Sequence, residues 1–142
     1  MVFALWWLYF LRPAGPRLEA RRDRSYRWGY GHYGIFAALA ALGAGLEVAV
    51  EQTGHELHLS PTGAAYAVAI PVAVFVGLLW AVHRSISEPS RVHLSPTCGA
   101  IAILLLLPLA APHIGSDTTL ALLTATCVAL VGVALWHENL KQ

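Results

Sequence analysis

Positive charge in this chain appears only at alternate breaks between its apolar stretches. Arg12, Arg17, Arg21, Arg22, Arg24 and Arg27 crowd the first polar stretch, Arg84 and Arg91 fall in the third, and Lys141 lies in the tail. These are all nine Lys and Arg residues, so the second and fourth polar stretches contain none. Cytoplasmic connections keep Lys and Arg whereas short translocated ones lack them, so this spacing marks a chain threaded repeatedly through a bilayer. The pattern predicts an all-α fold, a polytopic membrane helix bundle, with the arginine-bearing connections and the C-terminus in the cytoplasm.

Composition agrees with a bilayer as the main partner. Hydrophobic residues make up 57% of the chain and charged ones 12%, against about 25% charged in an ordinary soluble domain. The net charge of +1 conceals the asymmetry between the two sides. Because topology accounts for the arginine cluster, nucleic acid is not an expected partner. Cys98 and Cys127 fall inside apolar segments, away from the loops that hold disulfides or zinc knuckles, and are expected to be small buried hydrophobes.

A crossing takes about 20 apolar residues, fewer where the bilayer thins. Four segments qualify, running approximately from Gly29 to Glu51, Thr62 to His83, Thr97 to Pro112 and Thr118 to Trp136. Before them, Met1 to Leu11 covers only about half of a hydrocarbon core at about 1.5 Å per residue. Its charges follow the apolar stretch, the reverse of a signal peptide. The segment therefore reads as the cytoplasmic end of a helix whose first half is missing. On this reading the 142 residues form one membrane domain, the C-terminal part of a longer multi-span protein, completed by a missing N-terminal half or by homo-oligomer formation.

Finer signals fit the same frame. Trp28, Trp80 and Trp136 fall at the predicted cytoplasmic ends, where the bilayer interface favours tryptophan. Ser60-Pro61-Thr62 and Ser95-Pro96-Thr97 each offer a serine cap followed by proline at the first helical position. The longer match of His58 to Thr62 with His93 to Thr97 has two readings, reused capping signals or the trace of an inverted repeat. Ala37, Ala41, Gly45 and Ala49 are expected to line one face of the first full span, and Ala65, Ala69, Ala73, Gly77 and Ala81 one face of the second. Small residues at such spacing let helix backbones approach closely in lipid.

Chemistry has few candidate sites. A carboxylate at the bilayer centre costs about 2.5 to 3.5 kcal/mol on insertion scales and usually marks a pathway or a partner. Glu47 is such a residue, yet it lies one turn before Glu51, so a snorkelling interfacial acid is the competing reading. His32 sits on the same helix about 22 Å away, too far to pair with it directly. Pro71 and Pro108 interrupt apolar spans and release the carbonyls of Ala67 and Leu104, as helix kinks or as backbone exposed to an ion.

The outer side collects Glu51, His55, Glu56, His58, His113 and Asp117 without a basic residue. His55-Glu56-Leu57-His58 is one residue short of the H-E-x-x-H zinc arrangement, which rules out the simple zinc-protease reading and leaves solvated loop residues as the expectation, with a loose divalent-cation or pH-sensitive patch as the alternative. No nucleophile elbow, phosphate loop or dinucleotide fingerprint appears, and no acid, base and nucleophile converge. An enzyme and a cofactor are accordingly not expected.

Trp6-Trp7-Leu8-Tyr9-Phe10, an arginine-rich linker, and Tyr30-Gly31-His32 opening a helix that runs to Gly43-Ala44-Gly45-Leu46-Glu47 stand in a recognisable order. This order resembles the bacterial low temperature requirement A family, whose members carry W-W-x-Y-F, a basic loop and a tyrosine-histidine helix start. The resemblance is carried mainly by residues 1 to 51. It implies a multi-pass protein of the bacterial plasma membrane, associated with growth in the cold, of undefined molecular activity, and it marks Tyr30 and His32 as candidate functional residues beside Glu47. Leu11 departs from the family pattern, which often has aspartate there, and so puts any proton relay through that position in doubt. Two functions follow as expectations: a structural or assembly role without enzymatic activity, or a secondary transporter using Glu47 near a helix broken at Pro71.

Overall fold

The computed structural model describes residues 1–11, 25–53, 59–86 and 94–139. Helices account for nearly all of them: α1 Val2–Phe10, α2 Ser25–Thr53, α3 Pro61–Ile86, α4 Leu94–Leu106, a 3-10 turn Leu107–Ala110, α5 Ala111–Ile114 and α6 Ser116–Asn139. No strand occurs among the described residues. Four apolar stretches are long enough to cross a membrane, Trp28–Gln52, Pro61–Ser85, Pro96–Ile114 and Ser116–His137. They match the expected spans to within a few residues, and the fold is an all-α polytopic bundle preceded by the short α1.

Helix α3 is the centre of the bundle. Half of its apolar window is buried, against 17% for α6, and it packs on α2, α4, the 3-10 turn, α5 and α6. Its contact with α2 is the most extensive in the bundle. Leu5, Ile35, Leu42, Val72, Phe75, Leu104 and Leu123 fill the core where these helices meet. In lipid the outer faces are as apolar as the inner ones, so close packing rather than water exclusion drives association.

The closest approach of α2 and α3 lies at Gly45. A side-chain carbon at Gly45 would strike the carbonyl oxygen of Ala67 and come within 2.6 Å of its carbon and 3.2 Å of the Val68 nitrogen. Only a residue without Cβ fits against a neighbouring backbone in this way. The predicted stripes are corrected in part. Gly45 and Ala49 are buried, but Ala37 and Ala41 are exposed, and in α3 the buried run Ala65, Ala69, Ala73 gives way to exposed Ala81. Each four-residue step turns about 40° past a full helical turn, so a stripe at this spacing drifts off the contact line.

The prolines behave differently from each other. Pro71 is buried inside an unbroken α3, whereas Pro108 sits in the 3-10 turn that divides the third span. In a 3-10 turn each N–H reaches back three residues rather than four. Leu105 thereby loses its helical donor, and the Tyr66 hydroxyl of α3 donates to its carbonyl at 3.1 Å. Gly115 ends α5 with φ 86° and ψ 157°, a conformation open essentially to glycine alone. This lets α6 start at once, with the Thr119 hydroxyl donating to the Gly115 carbonyl at 2.8 Å.

Of the two expected serine caps, Ser60 accepts from the Gly63 N–H at 3.1 Å, with Pro61 the first residue of α3. The second start is corrected, because α4 begins at Leu94, ahead of Ser95 and Pro96. The two pentapeptides therefore do not start their helices in the same register. The cysteine expectation holds for Cys127, which is fully buried, and fails for Cys98, which is exposed on the first turns of α4.

Candidate functional site

His32 is held in an aromatic cluster where α1 and α2 meet. Its Nδ1–H donates to the Trp28 carbonyl one turn earlier at 2.6 Å. The Trp28 ring lies 4.1 Å from the imidazole, the Phe36 ring 6.1 Å away, and Tyr9 of α1 presents an edge at 5.8 Å. Tyr30 faces outward and pairs with Tyr33 at 6.1 Å between ring centres. Among the described residues, Tyr26, Gly29, Tyr30, His32, Tyr33 and Phe36 of α2 line an open groove.

Glu47 is exposed on the outside of the bundle. It lies about 200° around α2 from Gly45 and therefore points away from α3. His32 and Glu47 remain about 22 Å apart along one helix, as their spacing requires. Pro71 is buried on α3. The sequence-derived candidates are thus placed at separate positions and are not brought into one site. Of the acidic and histidine residues expected on the outer side, His55, Glu56 and His58 lie outside the described residues, Glu51 is half-buried, and His113 and Asp117 are exposed. Among the described residues no three His, Cys, Asp or Glu side chains come together.

The structure brings a different set together. Leu8 and Leu11 of α1, Val76, Leu79, Trp80 and His83 of α3, Pro96 and Thr97 of α4, and Leu130, Val133, Ala134 and His137 of α6 line a half-open cleft of about 120 Å³. The cleft lies at the end of the bundle from which the arginine-bearing connections leave. His83 is buried, and its Nδ1–H donates to the Leu79 carbonyl at 2.8 Å. The Trp80 indole N–H is buried without an acceptor, one of two such side-chain atoms among the described residues. Arg84 stacks its guanidinium on the same ring, 5.1 Å from the centroid. Among the described residues that line the cleft none is acidic.

Sequence reasoning missed this cleft. The usable signal was that Trp80, His83 and His137 all occupy the arginine-side ends of their spans. Nothing in the spacing says that α3 and α6 are neighbours at that end. Leu11, at the end of α1, is part of the same wall.

A family model described as bacterial low temperature requirement A protein matches residues 1–135, from α1 almost to the end of α6. No curated protein and no solved structure matches the chain. The aromatic segment, the basic linker and the packed spans are therefore parts of a single family pattern, and the chain belongs to the bacterial low temperature requirement A family.

Proposed function

We propose that this protein is a non-enzymatic component of the bacterial plasma membrane, with its C-terminus in the cytoplasm, whose helix packing serves membrane structure or assembly during growth at low temperature. One observation carries the reading. The Ala67 carbonyl released by Pro71 is covered by the backbone of Gly45, while Glu47 lies on the opposite side of α2. A transport pathway would need an ionisable group and open backbone facing one polar cavity. Here the buried polar residues among those described are His83 and Thr119, and neither is acidic. That arrangement supports a packed scaffold over a carboxylate-based pathway through this bundle.

The test compares Glu47→Gln with Gly45→Leu in cells lacking the chromosomal copy and in reconstituted vesicles. Glu47→Gln restores growth in the cold as well as the wild type does, whereas Gly45→Leu does not. Ion or proton flux that depends on the wild-type protein and disappears in Glu47→Gln would replace this reading with the transporter.

A further inference from the structure

We propose that the aromatic groove of α2 and the crevice beside it bind a membrane-soluble hydroquinone, with a ring hydroxyl donating to His32 and the hydrocarbon tail lying between α1 and α2. The acceptor is already in place. A carbonyl only accepts, so the His32 nitrogen bonded to Trp28, Nδ1, carries a hydrogen, and in the neutral ring Nε2 is left as a lone pair. Among the described residues none donates to it. His32 is part-buried and lines the groove, so the partner that Nε2 lacks is a donor brought by a ligand. An ammonium would donate as well, but it would have to approach the end of α2 next to Arg24 and Arg27 in sequence, where positive charge opposes it. A neutral O–H meets no such repulsion.

The rings select what bears the hydroxyl. Tyr30, Tyr33 and Phe36 are exposed, and a flat aromatic head stacks on such faces where an alkyl chain gains only contact area. Phe36 also lines the crevice, together with Trp6, Tyr9 and Phe10 of α1, Leu39 of α2 and Phe75 of α3. That crevice holds about 360 Å³, within the range of about 300–1,000 Å³ typical of small-molecule sites. Among the described residues that line it none is charged. The apolar span begins at Trp28, so His32 lies about 6 Å inside it and Leu39 about 10 Å deeper. A head at His32 therefore sits near the membrane interface, and its tail follows the crevice towards the bilayer centre.

Isothermal titration of the full chain in detergent under nitrogen, with empty micelles subtracted, tests this using decylhydroquinone, its dimethyl ether and decanol. The ether keeps ring and tail without the donor; decanol keeps the hydroxyl and tail without the ring. The wild type binds decylhydroquinone saturably and about tenfold more tightly than either of the others. His32→Phe keeps a planar ring but removes the acceptor, and it lowers affinity for decylhydroquinone by about tenfold while leaving the ether unchanged. Phe36→Ala, at an exposed position, weakens both ring ligands alike, with circular dichroism confirming that each variant stays helical. Equal affinity of the wild type for decylhydroquinone and its ether, a preference that survives His32→Phe, or ring ligands indifferent to Phe36→Ala overturns the proposal. Decanol binding as tightly as decylhydroquinone also overturns it, by showing a site for alkyl alcohols rather than for a ring.

Discussion

Gly45 of α2 lies against the carbonyl oxygen of Ala67 on α3, the oxygen that Pro71 leaves without a helical donor. The Cα hydrogens of glycine can approach such an oxygen as weak donors, each contact contributing about 0.5 to 1 kcal/mol. A methyl group there meets backbone rather than a side chain that can turn aside. Gly45→Ala is therefore expected to lower stability by about 1 to 3 kcal/mol, measured by detergent-titrated unfolding followed by circular dichroism. Gly43→Ala is the control, because nothing lies within 4 Å of its added carbon. It leaves stability unchanged or raises it by about 0.5 to 1 kcal/mol.

The same contact predicts coupling between Gly45 and Pro71. Pro71→Ala gives Ala67 its helical donor back. The cost of Gly45→Ala then differs between the two backgrounds by at least about 0.5 kcal/mol in a double-mutant cycle. Strict additivity would separate the proline from the glycine contact.

Tyr66 joins α3 to the irregular third span through Leu105. Hydrogen bonds between membrane helices contribute about 0.6 kcal/mol on average and up to about 1.7 kcal/mol. Tyr66→Phe is expected to fall in the upper part of that range, because the carbonyl it leaves has no helical donor. Unfolding titration against the wild type measures it, and amide hydrogen exchange should quicken around Leu107–Ala110 and not in α6.

Cys98 and Cys127 report packing and orientation together. Cys98 is exposed near the start of α4, and Cys127 is fully buried in α6. A membrane-impermeant maleimide is expected to modify Cys98 from the cytoplasmic side in inverted vesicles, and Cys127 only after unfolding. Labelling of Cys98 in right-side-out vesicles alone would reverse the proposed threading.

The spans were legible because a bilayer demands a set length of apolar chain, and both Ser60 with Pro61 and the prolines at 71 and 108 carry local signals. The outcomes at those prolines were not legible. Both lack an N–H, yet α3 continues through Pro71 where α2 supplies a close neighbour, while the chain at Pro108 tightens into a 3-10 turn whose spare carbonyl Tyr66 takes up. Neighbouring helices decide how a broken membrane helix is repaired. Glu47 illustrates the same limit, since its depth could be counted along the chain but its facing could not.

Charge placement and apolar length alone determined that this chain crosses a membrane repeatedly and which of its ends group together, because desolvating charge and backbone in lipid leaves few other arrangements. Only the tertiary structure decided which faces touch. In lipid every face of a span is apolar, so the contacts are chosen by shape: a glycine that admits a carbonyl, a tyrosine within reach of another. The gathering of Trp80, His83 and His137 from two helices far apart in sequence depends on that packing and is written in no local pattern.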